Sequence, residues 1–226
     1  MVSSANIACG EHAGSLDVMQ KTVSSARDRG VSIGAHPGYP DREGFGRREA
    51  SLSLDDIAES FESQIRRMEE CCEREGATLR YVKPHGALYN RAARDEELAH
   101  RLAECVLTID PSLLMLGLFG SFLESVSRAD GLGVAREAFI DRGYDSTGAL
   151  IPRGNDGALI VDPEVAAERA VKLARHEMIR AVDGTPLLIE PDSLCVHGDG
   201  ARALETVTRA RNALERAGIT IASFAP

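Results

Sequence analysis

The sequence predicts an α/β protein whose parallel strands are joined by crossing helices. Short apolar runs alternate with helical patterns along all 226 residues, and this order is typical of parallel sheets. No linker, low-complexity tract or block of like charges interrupts the alternation, so residues 1–226 are predicted to form one domain. Two architectures fit, a closed barrel and an open doubly wound sheet, and both bind ligands at the carboxyl ends of their strands. No glycine-rich phosphate fingerprint follows the first strand, and polar residues follow many strands rather than two, which favours the barrel.

An apolar run predicts the first strand, and two residues predict where the first helix begins and ends. The run Ala5–Cys9 predicts a strand. Ser15 is a suitable N-cap for a helix that extends to about Arg29, and Gly30 is a suitable residue to end it. The run Val31–Ala35 then predicts the second strand.

A loop and a long helix come next. The segment Pro37–Glu49 contains three glycines and two prolines, too many for a regular element. Ser53 is predicted to open a helix that ends at Gly76, with Asp56 as an acidic residue of the first turn. Its apolar residues recur at three- and four-residue spacing: Ile57, Phe61, Ile65 and Met68.

The rest of the chain continues the alternation. The further predicted strands are Leu79–Lys83, Leu113–Leu118, Leu132–Ile140, Leu187–Ile189, Ser193–His197 and Ile219–Phe224. The further predicted helices are Asp95–Leu107, Ser121–Ala129, Pro163–His176 and Ala201–Ala217. The polar loop Asp141–Asp156 is long for a compact domain, and such loops tend to be functional.

Composition excludes several classes of protein. A net charge of -9, from 26 basic and 35 acidic residues, argues against a nucleic-acid or anionic-membrane surface. No apolar stretch is long enough to span a membrane, and the N-terminus lacks the pattern of a secretory signal. The five cysteines are odd in number and lack zinc-type spacing, so we expect reduced thiols in a cytoplasmic protein.

Four of the six histidines stand at the end of an apolar run with a glycine nearby: His12, His36, His85 and His197. A single such histidine is most often a satisfied loop or core residue, but four in equivalent positions predict one shared site. Imidazoles can act as general acid or base, or bind a metal. No compact metal-ligand motif is present, so the involvement of a divalent metal is left open.

Charged residues near these ends complete the predicted site. Lys83 ends a strand and is expected to face the site as a base, a nucleophile or a cation that binds anionic oxygens. Asp199 adjoins His197 and is the preferred acid to orient an imidazole. The candidate substrate-binding residues are Asn6, Asp41, Arg47, Arg48, Asn90, Glu137, Arg142 and Arg153.

Taken together, the motifs around these residues resemble the LamB/YcsF family. The segments that carry the resemblance are Ser4–Gly10 with His12-Ala13-Gly14, then Gly34–Asp41, Gly44–Arg48, Val82–Asn90 and Val196–Asp199. The resemblance implies a distorted seven-stranded TIM-like barrel, akin to the polysaccharide-deacetylase fold. Family members carry a further strand with acidic side chains ahead of the first motif, so this chain is expected to lack the first strand and to be impaired in activity as written.

The resemblance also implies a reaction and partners. The family includes the A subunit of the bacterial ATP-dependent 5-oxoprolinase, which opens the lactam of 5-oxo-L-proline to L-glutamate with ATP as cosubstrate and with subunits B and C as partners. No Walker-type motif (GxxxxGK[ST]) occurs in the chain, so we expect ATP to bind at a non-standard site or on a partner. Whether the chain also forms a homo-oligomer is left open.

Two other functions fit the same residues. One is a metal-dependent, deacetylase-like hydrolase that acts on an amide or a sugar. The other is a non-catalytic component that captures 5-oxoproline for its partners. In the preferred interpretation, one of His36, His85 and His197 activates water, while Lys83 and Arg47 hold anionic oxygens.

Overall fold

The computed structural model describes residues 1–225 and divides into two compact units. The larger unit contains residues 3–117, 121–135 and 223–225, and the smaller one residues 1–2, 118–120 and 136–222. The single domain stays a prediction.

The larger unit is built on parallel strands in the order of the chain. These strands are β1 (Ser4–Ala8), β2 (Ser32–His36), β3 (Leu79–Val82) and β4 (Leu114–Leu118, whose last residue belongs to the smaller unit). The register places Ala8 beside His36, and Ala35 beside Val82. The carboxyl ends of β1, β2 and β3 therefore lie at the same edge, and the polar segments that follow these strands meet there.

Helices cover these strands, and capping side chains fix where four of them begin. The helices are α1 (Leu16–Arg27), α2 (Leu54–Arg74), α3 (Gly86–Ala92), α4 (Glu96–Ile109) and α5 (Phe122–Ala129). The capping side chains of Ser15, Ser53, Asp95 and Ser121 each accept a hydrogen bond from a backbone N–H in the first turn of α1, α2, α4 and α5. The four apolar residues predicted for one face of α2 are all buried. The short helix α3 was not predicted.

An aromatic cluster lies beneath the strands of this unit. Tyr81 on β3 is fully buried, and it packs with Leu116, Ala135 and Ala225. Phe224 lies edge-on to the Tyr81 ring, with 4.9 Å between the ring centroids. The carboxyl-terminal segment thus fills the core of the larger unit with side chains.

The predicted final strand, Ile219–Phe224, is wrong because this segment is held by side chains instead of a strand ladder. The Ser32 hydroxyl donates to the carbonyl of Ala225 at 2.6 Å, and the Ser223 hydroxyl donates to the Ser32 hydroxyl at 2.7 Å. The backbone there is irregular.

The smaller unit combines two parallel strands, two helices and a short hairpin. Its elements are β5 (Gly133–Phe139, whose first three residues belong to the larger unit), α6 (Pro163–Ala174), β6 (Ile179–Arg180), β7 (Pro186–Leu187), β8 (Ser193–Cys195) and α7 (Ala203–Arg216). β5 and β8 are parallel, with Phe139 beside Cys195. β6 and β7 form an antiparallel hairpin, so the predicted strand Leu187–Ile189 overlaps a hairpin arm that the apolar pattern did not reveal.

The α/β class is confirmed, since the residues described contain six parallel strands and one antiparallel hairpin. The closed, seven-stranded TIM-like barrel is not confirmed and stays a prediction. Within residues 1–225, no helix combines the length and apolarity needed to cross a membrane.

Candidate functional site

Three of the four predicted histidines come together at the carboxyl ends of β1, β2 and β3. The rings of His12 and His85 are stacked, with 3.9 Å between their centroids and 7° between their planes. His36 lies edge-on to both rings, at 4.7 Å from His85 and 5.8 Å from His12. The parallel strands thus bring together imidazoles that are far apart in the sequence. His197 belongs to the smaller unit, so the convergence of all four stays a prediction.

Backbone hydrogen bonds extend the β2–β3 ladder past the strand ends and hold two of these histidines. The Lys83 N–H donates to the carbonyl of Ala35 at 2.9 Å, and the His85 N–H donates to that of Pro37 at 2.7 Å. Proline at 84 has no N–H to donate, so its place between the two bonded residues costs no hydrogen bond.

A buried glutamine, which was not predicted from the sequence, forms hydrogen bonds with the segment after β2. Gln64 on α2 accepts from the Gly38 N–H at 3.0 Å and donates to the Gly38 carbonyl at 2.9 Å. Gln64 is 1% exposed. A signal was available, because position 64 lies on the buried face of α2 defined by Phe61, Ile65 and Met68. A polar residue on an apolar face needs a partner.

The loop that carries His12 is also tied to α2. Arg67 donates to the carbonyl of Cys9 at 2.9 Å and pairs with Glu11 at 3.1 Å. The Gly10 N–H donates to the carbonyl of Ala13, which closes a tight turn. His12 is 2% exposed, and its Nδ1 atom has no hydrogen-bond partner among the residues described.

The loop 41–48 covers the stacked pair. Phe45 lies edge-on to His12 and His85, with centroid distances of 5.7 Å and 5.4 Å. Gly46 is at φ +65°, and a side chain there would come within 2.9 Å of both His12 and His85. The Gly46 carbonyl accepts from the N–H of Ala87 at 2.9 Å, which joins the loop to the start of α3.

The arginines and the acid of this loop lie at its surface. Arg48 is exposed and forms an ion pair with Asp41, and this hydrogen bond lowers the pKa of Asp41 to about 2. Arg47 is exposed, and its guanidinium lies 4.9 Å from the centroid of the Phe45 ring. Asp41 and Arg48 therefore bind each other in this structure, and their roles in substrate binding stay predictions.

Burial keeps the three imidazoles neutral. It lowers the pKa of His85 to about 3, with the nearby His12 as the next cause. It lowers the pKa of His12 to about 4, helped by the positive charges of Arg42 and Arg47. The pKa of His36 is also well below its usual value, through burial and then His85 and Lys83. The cluster therefore offers neutral rings, the form that can accept a proton.

We expect these rings to make the protein less stable in mild acid. The unfolded chain, with histidine pKa values near 6.5, binds protons before the folded chain does as the pH falls. The stability that these groups contribute is present above about pH 6.5, and it is lost as the pH falls from there towards the lowered pKa values. Each proton taken up on unfolding steepens the loss by ~1.4 kcal/mol per pH unit.

Urea unfolding between about pH 7 and about pH 5 measures this slope. His12→Asn should reduce the slope. A flat profile would contradict the expectation.

Lys83 lies beside the cluster. The residue is 4% exposed, and its amine is 5.3 Å from the centroid of the Tyr89 ring on α3. Asn90 is the next residue of α3 and is partly buried. Asn6 on β1 accepts a hydrogen bond from the Tyr81 hydroxyl at 2.8 Å. The predicted inward position of Lys83 thus agrees with its burial.

In the smaller unit, His197 is held by an aspartate that the sequence analysis did not select. Asp141 follows β5 and accepts from the backbone N–H of His197 at 2.8 Å, and its carboxylate contacts the ring Nδ1 at 3.0 Å. Phe139 stacks on the same ring. Asp141 is thus a carboxylate that orients His197, whereas Asp199 is exposed and its predicted role of orienting an imidazole stays a prediction. The position of Asp141 directly after a buried strand was the available signal, the same one that marked the histidines.

Replacing Asp141 by asparagine should destabilise the protein at neutral pH. Burial raises the pKa of Asp141, but its hydrogen bonds with His197 outweigh burial, and the pKa is lowered overall. The contribution to stability is therefore present above the unfolded value near 3.9, and it is lost as the pH falls through the lower folded value. We expect Asp141→Asn to reduce the free energy of unfolding by about 1–3 kcal/mol, because the amide group leaves one donor of His197 unpaired.

Urea unfolding of Asp141→Asn measures this loss. Asp156→Asn, at an exposed loop residue, serves as the control and should change stability by less than ~0.5 kcal/mol. Equal stabilities of the two variants would contradict the role of Asp141.

The other predicted residues of the smaller unit lie on β5 and in the long loop. Glu137 on β5 is 1% exposed. Arg142 is 3% exposed and donates to the carbonyls of Ala158 and Ile151 at 3.0 Å and 2.6 Å. Burial, followed by the charge of Arg153, lowers its pKa. Arg142 thus closes the loop that follows β5, and substrate binding by Glu137, Arg142 and Arg153 stays a prediction.

A nucleophilic cysteine has little support, and the involvement of a metal stays open. Burial raises the pKa of Cys9 to about 12, so its thiol stays protonated and is a poor nucleophile. In the part of the chain that is described, no group of three or more His, Cys, Asp and Glu side chains has the arrangement of metal ligands. Of the two remaining histidines, His100 contacts Asp130 at 2.8 Å, and His176 belongs to the smaller unit.

Parallel strands with neutral imidazoles and a buried lysine at their carboxyl ends define an α/β protein with a polar site at the strand ends. The particular family follows from comparison with known proteins. The model of the LamB/YcsF family matches residues 1–226, and the chain belongs to that family.

Relatives and a solved structure support this assignment along the whole chain. The chain is 46% identical over 223 residues to the 5-oxoprolinase A subunit of Natranaerobius thermophilus, a match that covers 99% of this chain and 87% of that protein. It is 44% identical to the protein of the same name from Staphylococcus carnosus, over 98% of this chain and 88% of that one. The crystal structure of the lactam utilization protein from Thermus thermophilus superimposes with a TM-score of 0.92 at 42% identity, over 99% of this chain and 89% of that one.

Proposed function

We propose that this chain is the A subunit of an ATP-dependent 5-oxoprolinase, and that it opens the lactam of 5-oxo-L-proline to L-glutamate. The observation that carries the proposal is the cluster of three neutral imidazoles beside the buried Lys83. It occurs in a chain 46% identical to a protein named as the A subunit of 5-oxoprolinase. Imidazole is the side chain most often used as a general acid or base in enzymes, and neutral rings are the form that takes up a proton.

The chemistry of the substrate explains why ATP would be needed. Amide resonance makes the lactam carbonyl a poor target for water, and its oxygen is a poor leaving group. Phosphorylation of that oxygen, supplied by subunits B and C, removes both obstacles. Water then adds to the ring carbon, the ring C–N bond breaks, and the nitrogen takes a proton. The ring-opened product is an acyl phosphate, and a second water cleaves it to L-glutamate and inorganic phosphate.

Each part of the cluster has a role in this proposal. His85 takes the proton of the attacking water and returns it to the ring nitrogen. Lys83, with its cationic amine in a buried position, binds the anionic oxygens of the substrate. Arg47 adds positive charge at the mouth of the site. His12 stacks on His85 and limits the orientations of its ring.

The proposal is tested by reconstitution. The purified chain, subunits B and C, ATP and 5-oxoproline are combined, and glutamate and ADP are measured together. We expect the two products in equal amounts, and only when all three proteins are present. Glutamate formation by B and C alone at the same rate would overturn the proposal.

The same assay distinguishes the two other functions. A non-catalytic binding component would keep its full rate when His85 is replaced by glutamine. A metal-dependent hydrolase would form product without ATP and would lose its activity to a chelator. Either result would replace the proposed function with that alternative.

A further inference from the structure

A chain of hydrogen-bond contacts runs through two of the histidines and ends at a carbonyl on each side. His36 Nδ1 lies 2.7 Å from the carbonyl oxygen of Lys83. His36 Nε2 lies 3.0 Å from His85 Nδ1, and His85 Nε2 lies 2.8 Å from the carbonyl oxygen of Phe45. A carbonyl oxygen can only accept a hydrogen bond. The ring nitrogen that faces each of the two carbonyls must therefore carry a proton for that contact to be a hydrogen bond.

Three contacts in a row need three protons, but two neutral imidazoles carry only two. A third proton would make the pair a cation. That cation is disfavoured by burial and by the groups that face the pair, namely His12, Arg47 and Lys83. The Cys9 thiol contacts the backbone of His36 and is uncharged. At neutral pH one of the three contacts therefore lacks a proton.

The contact between His36 and Lys83 is the one most firmly fixed by its surroundings. His36 is the last residue of β2, and the N–H of Lys83 is bonded to Ala35 of the same strand. The ring and the carbonyl are thus held by neighbouring strands. The proton of neutral His36 therefore lies on Nδ1, and its Nε2 presents a lone pair to His85.

The contact between His85 and Phe45 differs from the other two because it joins a ring to a loop. Phe45 lies in the loop 41–48 between Gly44 and Gly46, and it is held at φ +55°, a strained conformation for a residue with a side chain. The His85 ring, in contrast, is stacked on His12 and follows the bonded segment of β3. The ring is fixed and the carbonyl belongs to the loop.

We propose that His36 is a positioning residue that holds the proton of neutral His85 on Nδ1 and leaves Nε2 as the basic atom of the site. This inference rests on the proposed function for the role of His85. The Phe45 carbonyl occupies the place of the group that meets Nε2 during the reaction, and a donor such as water fits that place better than a carbonyl does.

With Nε2 as the basic atom, every proton of the ring-opening step is accounted for. Nε2 takes one proton from water as the water oxygen bonds to the ring carbon, and His85 becomes an imidazolium. Its Nδ1–H donates to His36 throughout and stabilises the charge. The proton on Nε2 passes to the ring nitrogen as the C–N bond breaks, which restores the neutral ring.

The position of the proton is measured directly by NMR. Long-range proton–nitrogen correlation spectra of the full chain, labelled with nitrogen-15 in histidine, distinguish the two neutral forms at neutral pH. The signals of His85 are assigned by their loss in His85→Gln. We expect His85 protonated at Nδ1 in the native chain. Protonation at Nε2 would overturn the inference.

Two variants of His36 test whether its ring nitrogen, and not only its bulk, determines the position of the proton on His85. His36→Leu has no acceptor for His85 and should move the proton to Nε2, whereas His36→Gln, with an amide oxygen near the place of Nε2, should keep it on Nδ1. An unchanged His85 in a folded His36→Leu chain would overturn the inference, and if that variant does not fold, the native spectrum decides alone.

These spectra are independent of turnover. A chain with the expected proton position but no activity in the reconstituted assay would count against the proposed function only. A fully active enzyme with His85 protonated at Nε2 would count against the role of His36 only.

Discussion

Replacing His85 by glutamine should lower the ATP-coupled formation of glutamate by ~10²–10⁴-fold, the usual loss when a general acid–base is removed. Glutamine is close in size to histidine and retains polar contacts to the loop, but it cannot take a proton near neutral pH. The loss should fall on kcat in the complex with subunits B and C, because His85 acts on water and not on the binding of substrate.

A matched variant of another histidine controls for the loss of an imidazole as such. His100 lies on α4 and is exposed, with Asp130 as its partner, so His100→Gln should leave turnover unchanged. Circular dichroism and urea unfolding check that both variants are folded. Full turnover of a folded His85→Gln variant would remove His85 from the mechanism.

The sequence was sufficient to predict the part of the site that depends on strand ends. Apolar runs ending in His12, His36 and His85 predicted three neighbouring imidazoles, and the parallel register of β1, β2 and β3 brings them together. This inference works because parallel strands place their carboxyl ends at one edge, whatever the helices between them contain. The burial of Lys83 followed from the same rule.

The contacts that depend on distant partners were not predictable in this way. Gln64 bonds Gly38 across 26 positions, and periodicity alone does not say which backbone a buried amide meets. The choice of Asp199 over Asp141 relied on nearness in sequence, but Asp141 reaches His197 across 56 positions because β5 and β8 are neighbours. The prediction of a strand at the carboxyl terminus was wrong because serine side chains hold this segment through hydrogen bonds. An apolar pattern does not reveal such contacts.

The largest effect on stability is expected at Gly34 on β2, because the absence of a side chain there leaves space for the ring of Tyr81 on β3. An added Cβ at Gly34 would lie 2.1 Å from a ring carbon of Tyr81, far inside contact distance. The ring has little freedom to move away. Tyr81 is fully buried, Leu116 and Phe224 pack against it, and its hydroxyl bonds Asn6. A close-packed interior cannot absorb such an overlap without shifting side chains or backbone.

Gly34→Ala should therefore reduce the free energy of unfolding by ~1–3 kcal/mol or more, the usual cost of an overfilled core. Urea unfolding at neutral pH measures the loss. Gly154→Ala is the matched control, because a Cβ at Gly154 meets no atom within 4 Å and the residue does not have a left-handed φ; we expect it to change stability by less than ~0.5 kcal/mol. Equal stability of the two variants would show that Tyr81 yields to the added methyl group, and it would contradict the rigid contact between β2 and β3 on which the placement of His36 and His85 depends.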